Sequence, residues 1–82
     1  MSSPARAKLS EVFSAILELD PEEVNDDLSS DRLEQWDSLN HLNLCVAVGQ
    51  EFGFELSTDE MATVRSVGDF VRVLKSRGVA ID

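Results

Sequence analysis

The chain has 82 residues, 43% of them hydrophobic, which is room for one globular domain and too little for two independent cores. Its formal charge of −9, from 16 acidic against 7 basic residues, opposes binding to DNA, RNA or anionic lipid and calls for partners with basic patches. The single cysteine, Cys45, excludes an internal disulfide, and no apolar run approaches the ~18 residues that a membrane span requires.

Leu9, Val12, Phe13, Ile16 and Leu17 recur at three- and four-residue steps, so Pro4 to Leu19 reads as a helix with one buried face. Asp20-Pro21 ends it, because proline disfavours helical geometry in the residue before it. A long polar connection from Glu22 to Trp36 follows. Val24, Leu28, Leu33 and Trp36 are its apolar anchors, the pattern of a loop pinned to a core and not of a disordered linker. From Asp20 to Asp37, eight acids are opposed by Arg32 alone.

Asp37-Ser38 then caps a second helix, Leu39 to Phe52. Leu44, Cys45, Val48 and Phe52 form one apolar stripe, and Leu39, Leu42 and Val46 another. Two stripes mean several neighbours, or one stripe left partly exposed. Gly53 suits the left-handed position that ends a helix, and Ser57 or Thr58 caps a short third helix running to about Thr63. Ser66 opens a last helix, with Val67, Phe70, Val71 and Leu74 on its buried face, basic residues toward its negative end and Gly78 closing it. No strand-like alternation competes. The expected fold is all-α: a bundle of three main helices and one short helix in a single domain, 1–82, with a long loop between the first and second helices.

Chemistry concentrates at Trp36-Asp37-Ser38-Leu39, where the acidic loop meets the most hydrophobic helix. A serine hydroxyl in the first turn of a helix has backbone N–H groups nearby that favour an attached phosphate. Asp37 offers a carboxylate that could assist modification by a separate enzyme, and Leu39 is expected to anchor the helix start so that Ser38 faces outward. The plain alternative is that Asp37 and Ser38 only cap the helix.

Taken with its setting, this motif resembles the acyl carrier proteins. The resemblance runs from the first helix at Leu9 through Val24, Asp27-Leu28, Trp36-Asp37-Ser38-Leu39, Glu51-Phe52-Gly53 and Ser66-Val67-Gly68-Asp69-Phe70 to Leu74. It implies a four-helix fold, a 4′-phosphopantetheine arm transferred from coenzyme A to Ser38, and acyl or aminoacyl cargo held on the arm as a thioester. It also implies partners: a phosphopantetheinyl transferase, and loading ligases and synthases with basic docking patches. No catalytic group is required of the carrier, since thioester chemistry belongs to the arm's thiol and to partner active sites. The rival reading is an unmodified acidic helical module that binds a basic partner.

The sequence departs from the family's pattern on the second helix, where Asn40, His41, Asn43 and Gln50 stand in place of acids. Electrostatic docking then leans on the loop acids and on Asp59 and Glu60, with Leu42 and Val46 as apolar contacts, which points to a specialised biosynthetic pathway and not general fatty-acid synthesis. His41, three residues after Ser38 and four before Cys45, invites a triad or dyad, but neighbours on one helix supply neither an oxyanion hole nor a cleft. Cys45 reads as core. Trp36 is either a lid over the core or a platform for a ligand or partner, and Met61, Val64 and Leu44 are either core or the lining of the family's acyl cleft. The acidic stretch from Asp20 to Asp31 lacks the glycine and the terminal glutamate of a calcium-binding EF-hand loop, and one His with one Cys cannot make a zinc site. A soluble, cytoplasmic monomer is the expectation.

Overall fold

A computed structural model describes residues 4–81, so the extreme ends of the expected 1–82 domain lie outside the described residues. In chain order it contains α1 (Pro4–Leu17), a 3-10 turn (Pro21–Glu23), α2 (Ser38–Phe52), α3 (Thr58–Thr63) and α4 (Val67–Ser76). Among the described residues the only sheet-like pairing is an isolated bridge between Ser29 and Ser66.

The first helix ends two residues earlier than Asp20-Pro21 would require. Glu18 adopts a left-handed conformation, φ 56°, and the Leu19 N–H donates to the Ser14 carbonyl at 3.1 Å. This six-to-one closure satisfies an orphan carbonyl at the helix end. A glutamate there bears a backbone penalty of about 1–2 kcal/mol that glycine would not.

Leu9, Phe13 and Leu17 of α1 meet Leu44, Cys45 and Val48 of α2 and Val67, Phe70, Val71 and Leu74 of α4 in one core. Phe13 is its hub, packing edge-on against Trp36 and Phe70 with ring centroids 5.4 Å and 5.3 Å away. Edge-to-face pairs at such distances add about 0.5–1.5 kcal/mol beyond area burial.

The long connection is held by its backbone. Asp26 and Leu28 place carbonyls on the N–H groups of Gly68 and Val67, at 3.2 Å and 2.9 Å, and the Ser30 N–H donates to the Arg65 carbonyl at 2.9 Å. Two orphan donors of the first turn of α4 thereby find acceptors. Ser66 caps the same turn, its hydroxyl accepting from the Asp69 N–H. An Asx turn at Asn25 and an ion pair between Arg6 and Asp26 shape the loop's first half.

At the other end of α2, Gly53 is left-handed with φ 79°, as its position required, and the Phe54 N–H reaches back to the Gly49 carbonyl at 2.8 Å. The chain turns so tightly that a Cβ on Gly49 would lie 2.4 Å from the Phe54 carbonyl oxygen. Glycine is thus needed inside a helix, where it normally weakens the structure. Gly49→Ala is expected to destabilise the fold by about 1–3 kcal/mol, in spite of alanine's better helix propensity, because the obstructing atom is backbone. Urea denaturation of the two proteins checks this, and an alanine variant as stable as the parent would contradict it.

Candidate functional site

Ser38 is the first residue of α2, and the cap before it is Asp37, whose Oδ1 accepts from the Asn40 N–H at 2.9 Å. The Asn40 side chain adds a second clasp, donating to the Gln35 carbonyl at 2.7 Å. The cap is therefore supplied by Asp37, without the Ser38 side chain. Its hydroxyl is exposed and has no hydrogen-bond partner among the described residues.

The anchor for this corner is Trp36, only 4% exposed, and not Leu39, which is 68% exposed. The reason is angular. Residues 41, 44, 45, 48 and 52 share the inward side of α2, whereas Leu39, Leu42 and Val46 follow one another around the opposite side at helical spacing. Leu42 and Val46 are 50% and 49% exposed. Of the two stripes in the sequence, this one faces solvent.

A cavity of about 500 Å³ opens beside Ser38, with Ser30, Trp36, His41, Met61 and Arg65 among its walls. His41 points into the structure. The Trp36 indole N–H donates to its Nδ1 at 3.0 Å, and its Nε2 lies 2.6 Å from the Met61 carbonyl oxygen. Both ring nitrogens are thus engaged, and neither by Ser38 or Asp37, so no triad is assembled. The Cys45 sulfur lies 3.8 Å from the same Nε2, but burial pushes its thiol up to about 11, and it stays protonated. Among the described residues there is no cluster of three or more His, Cys, Asp or Glu side chains able to hold a metal.

Of the residues weighed for a cleft, Leu44 is fully buried core, Val64 is buried but lines the cavity beside Ser38, and Met61 is half-buried there. The acids expected at a docking face are also divided. Glu60 closes a capping box with Ser57 and pairs with Arg77, so it serves the fold, while Asp59 remains exposed. The backbone N–H of Ser57, with the Arg77 guanidinium, holds the Glu60 carboxyl below the usual carboxylate range.

Such a corner fits a phosphodiester-linked arm. It presents an exposed hydroxyl, with no competing bond among the described residues, at the positive end of a 15-residue helix, beside a cavity with Arg65 on its wall. The family model for the phosphopantetheine attachment site matches residues 7–74. The chain belongs to that family, the acyl carrier proteins, whose members bear a covalent 4′-phosphopantetheine and are non-catalytic. A solution NMR structure of a holo acyl carrier protein from Geobacter metallireducens is similar in fold, with a TM-score of 0.76 and 23% identity over 90% of this chain and 85% of that one. No curated protein matches the sequence significantly.

Sequence reasoning placed Asp37 and Ser38 correctly at the helix start but missed the engagement of His41. Its partner carbonyl lies twenty residues away on another element, and no local pattern marks it.

Two measurements follow from the shifted groups. At pH 8 the native Cys45 thiol is expected to react with a disulfide reagent about a hundredfold or more slowly than the urea-unfolded chain, given its small thiolate fraction. Equal rates would show the thiol to be accessible and unshifted. For Glu60 the folded value is lowered, so its stabilising contribution is present above the ordinary carboxylate range and is lost as pH falls through the folded value. Glu60→Gln is therefore expected to flatten the acid limb of a stability-versus-pH curve, and an unchanged limb would argue against the pairing.

Proposed function

We propose that Ser38 is the residue that bears the arm, within a single carrier domain spanning 1–82. Asp37 holds it outward by capping α2 and is the carboxylate next to the hydroxyl during modification. Leu39 begins an apolar stripe, continued by Leu42 and Val46, on which partner enzymes dock. The observation that carries this reading is the division of labour at the helix start: Asp37 caps, and the neighbouring hydroxyl is left exposed with no partner among the described residues.

The arm supplies a terminal thiol on which cargo travels as a thioester. This chain's residues hold the tether at the mouth of α2, keep its base fixed through Trp36, and offer acidic loop residues to basic enzymes. Tethering makes each delivery a local event governed by reach and docking. Partners on this reading are a phosphopantetheinyl transferase, an acyl- or aminoacyl-loading ligase and the synthases that use the cargo, in the cytoplasm, with the carrier itself a monomer. Among the described residues no helix is long and apolar enough to cross a membrane. The polar face of α2, with Asn40, Asn43 and Gln50 where acids are expected, supports a specialised pathway over general fatty-acid synthesis.

Incubation with a promiscuous phosphopantetheinyl transferase and coenzyme A is expected to add the mass of one arm, and Ser38→Ala to abolish the gain. Since the hydroxyl makes no hydrogen bond among the described residues, the same variant is expected to keep its stability within about 0.5 kcal/mol. A folded wild-type protein that never gains mass, or an alanine variant that does, overturns the assignment, the former in favour of an unmodified interaction module.

A further inference from the structure

The backbone of Arg65 is tied down and its side chain is not. Its N–H donates to Asp69 Oδ2 at 3.0 Å, and its carbonyl accepts from the Ser30 N–H at 2.9 Å, next to the bridge between Ser29 and Ser66. The residue therefore has a fixed place between α3 and α4. Yet it is exposed, and its guanidinium forms no hydrogen bond or ion pair among the described residues. Arg6, Lys8, Arg72 and Arg77, by contrast, are each paired with a carboxylate.

Arg65 and Ser30 share the wall of the cavity of about 500 Å³ that opens at Ser38, and the Ser30 hydroxyl also has no partner among the described residues. Of the seven basic residues in the chain, Arg65 is the one that lines this cavity. His41 stands in the wall too, but its ring nitrogens are engaged with Trp36 and with the Met61 carbonyl, so neither is left for an anion.

On the carrier reading above, the arm is joined to Ser38 through a phosphodiester. That places a negative charge next to the Asp37 carboxylate in a chain whose formal charge is already −9. The repulsion is offset best where a cation faces the new charge. One exposed arginine would hold a free phosphate ion poorly, because water and salt screen the pair. A phosphate tethered at the rim of the same cavity is held at a high local concentration, and there a weak pair is well populated. The planar fork of arginine can also meet two phosphate oxygens at once.

We propose, resting on that reading, that Arg65 is a positioning residue for the arm: its guanidinium, with the Ser30 hydroxyl beside it, pairs with the phosphodiester and holds the base of the arm against the cavity wall. The acids of the long connection are then left for basic partners, and Arg65 takes no part in bond making or breaking.

Phosphorus NMR of the full chain, loaded by a promiscuous transferase from coenzyme A, reads the phosphate directly. The wild-type resonance is expected to be displaced from that of the same holo protein unfolded in urea. Arg65→Gln is expected to lose most of the displacement. Arg65→Lys should keep part of it, because the charge remains and the fork does not. Arg32→Gln, on the long connection and outside the cavity wall, should keep all of it. In the wild type itself, the Arg65 Nε–H signal is expected to shift between the apo and holo forms, and the shift to shrink in concentrated salt. This second measurement needs no variant, so it decides the matter if a substituted chain does not fold or does not accept the arm. A phosphorus resonance in Arg65→Gln equal to the wild type's, or an Arg65 signal unchanged by loading, overturns the proposal and leaves the carrier reading intact, since the arm is attached in both. A wild-type protein that takes up no arm removes the carrier reading and this proposal together.

Discussion

Two backbone N–H groups at the start of α4 need acceptors, and the long connection supplies them. A buried donor left unsatisfied costs about 1–3 kcal/mol, so the carbonyls of Asp26 and Leu28 on Gly68 and Val67 are strong determinants of where the loop lies. Trp36 fixes the other end by burial against Phe13. Between these two points the path of the chain is settled, and α2 begins where it must for Ser38 to stand at the rim of the bundle. The position of the candidate tether point is thus a consequence of hydrogen bonding on a different helix.

The acidic surplus divides into two populations. Asp26, Glu60 and Asp69 are occupied inside the molecule, respectively with Arg6, with Arg77 and Ser57, and with Arg72 and the Arg65 N–H. Glu22, Glu23, Asp27, Asp31 and Glu34 are exposed and form no ion pair among the described residues. Exposed pairs are worth little for stability, but an unneutralised run of one sign steers an oppositely charged partner from a distance that depends on salt. The fold places those residues just ahead of the exposed Ser38 hydroxyl.

Much of this was legible in the residues. The caps at Ser66 and Gly53, the extent of α3 and the partly exposed stripe of α2 follow from local chemistry, in which each residue's partner lies three to five positions away. The end of α1 did not follow, because a glutamate takes the left-handed position usually given to glycine, and the signal at Pro21 came too late. Leu39 was misplaced as an anchor because a helix with two apolar stripes does not declare which one is inside. The loop's fastening and the engagement of His41 were hidden for a common reason: their partners are backbone carbonyls on distant elements, and a carbonyl has no residue identity to read.

The chain has one tryptophan, and it is buried at the meeting point of α1, α4 and the imidazole of His41. Indole emission depends on the polarity and the quenching groups around it, and here the ring has an imidazole stacked on one face and phenyl rings around it. Light from this protein therefore originates at a single place, the joint between the long connection, the core and the start of α2. Movement of that joint is observable in the native protein without a dye, a label or an isotope.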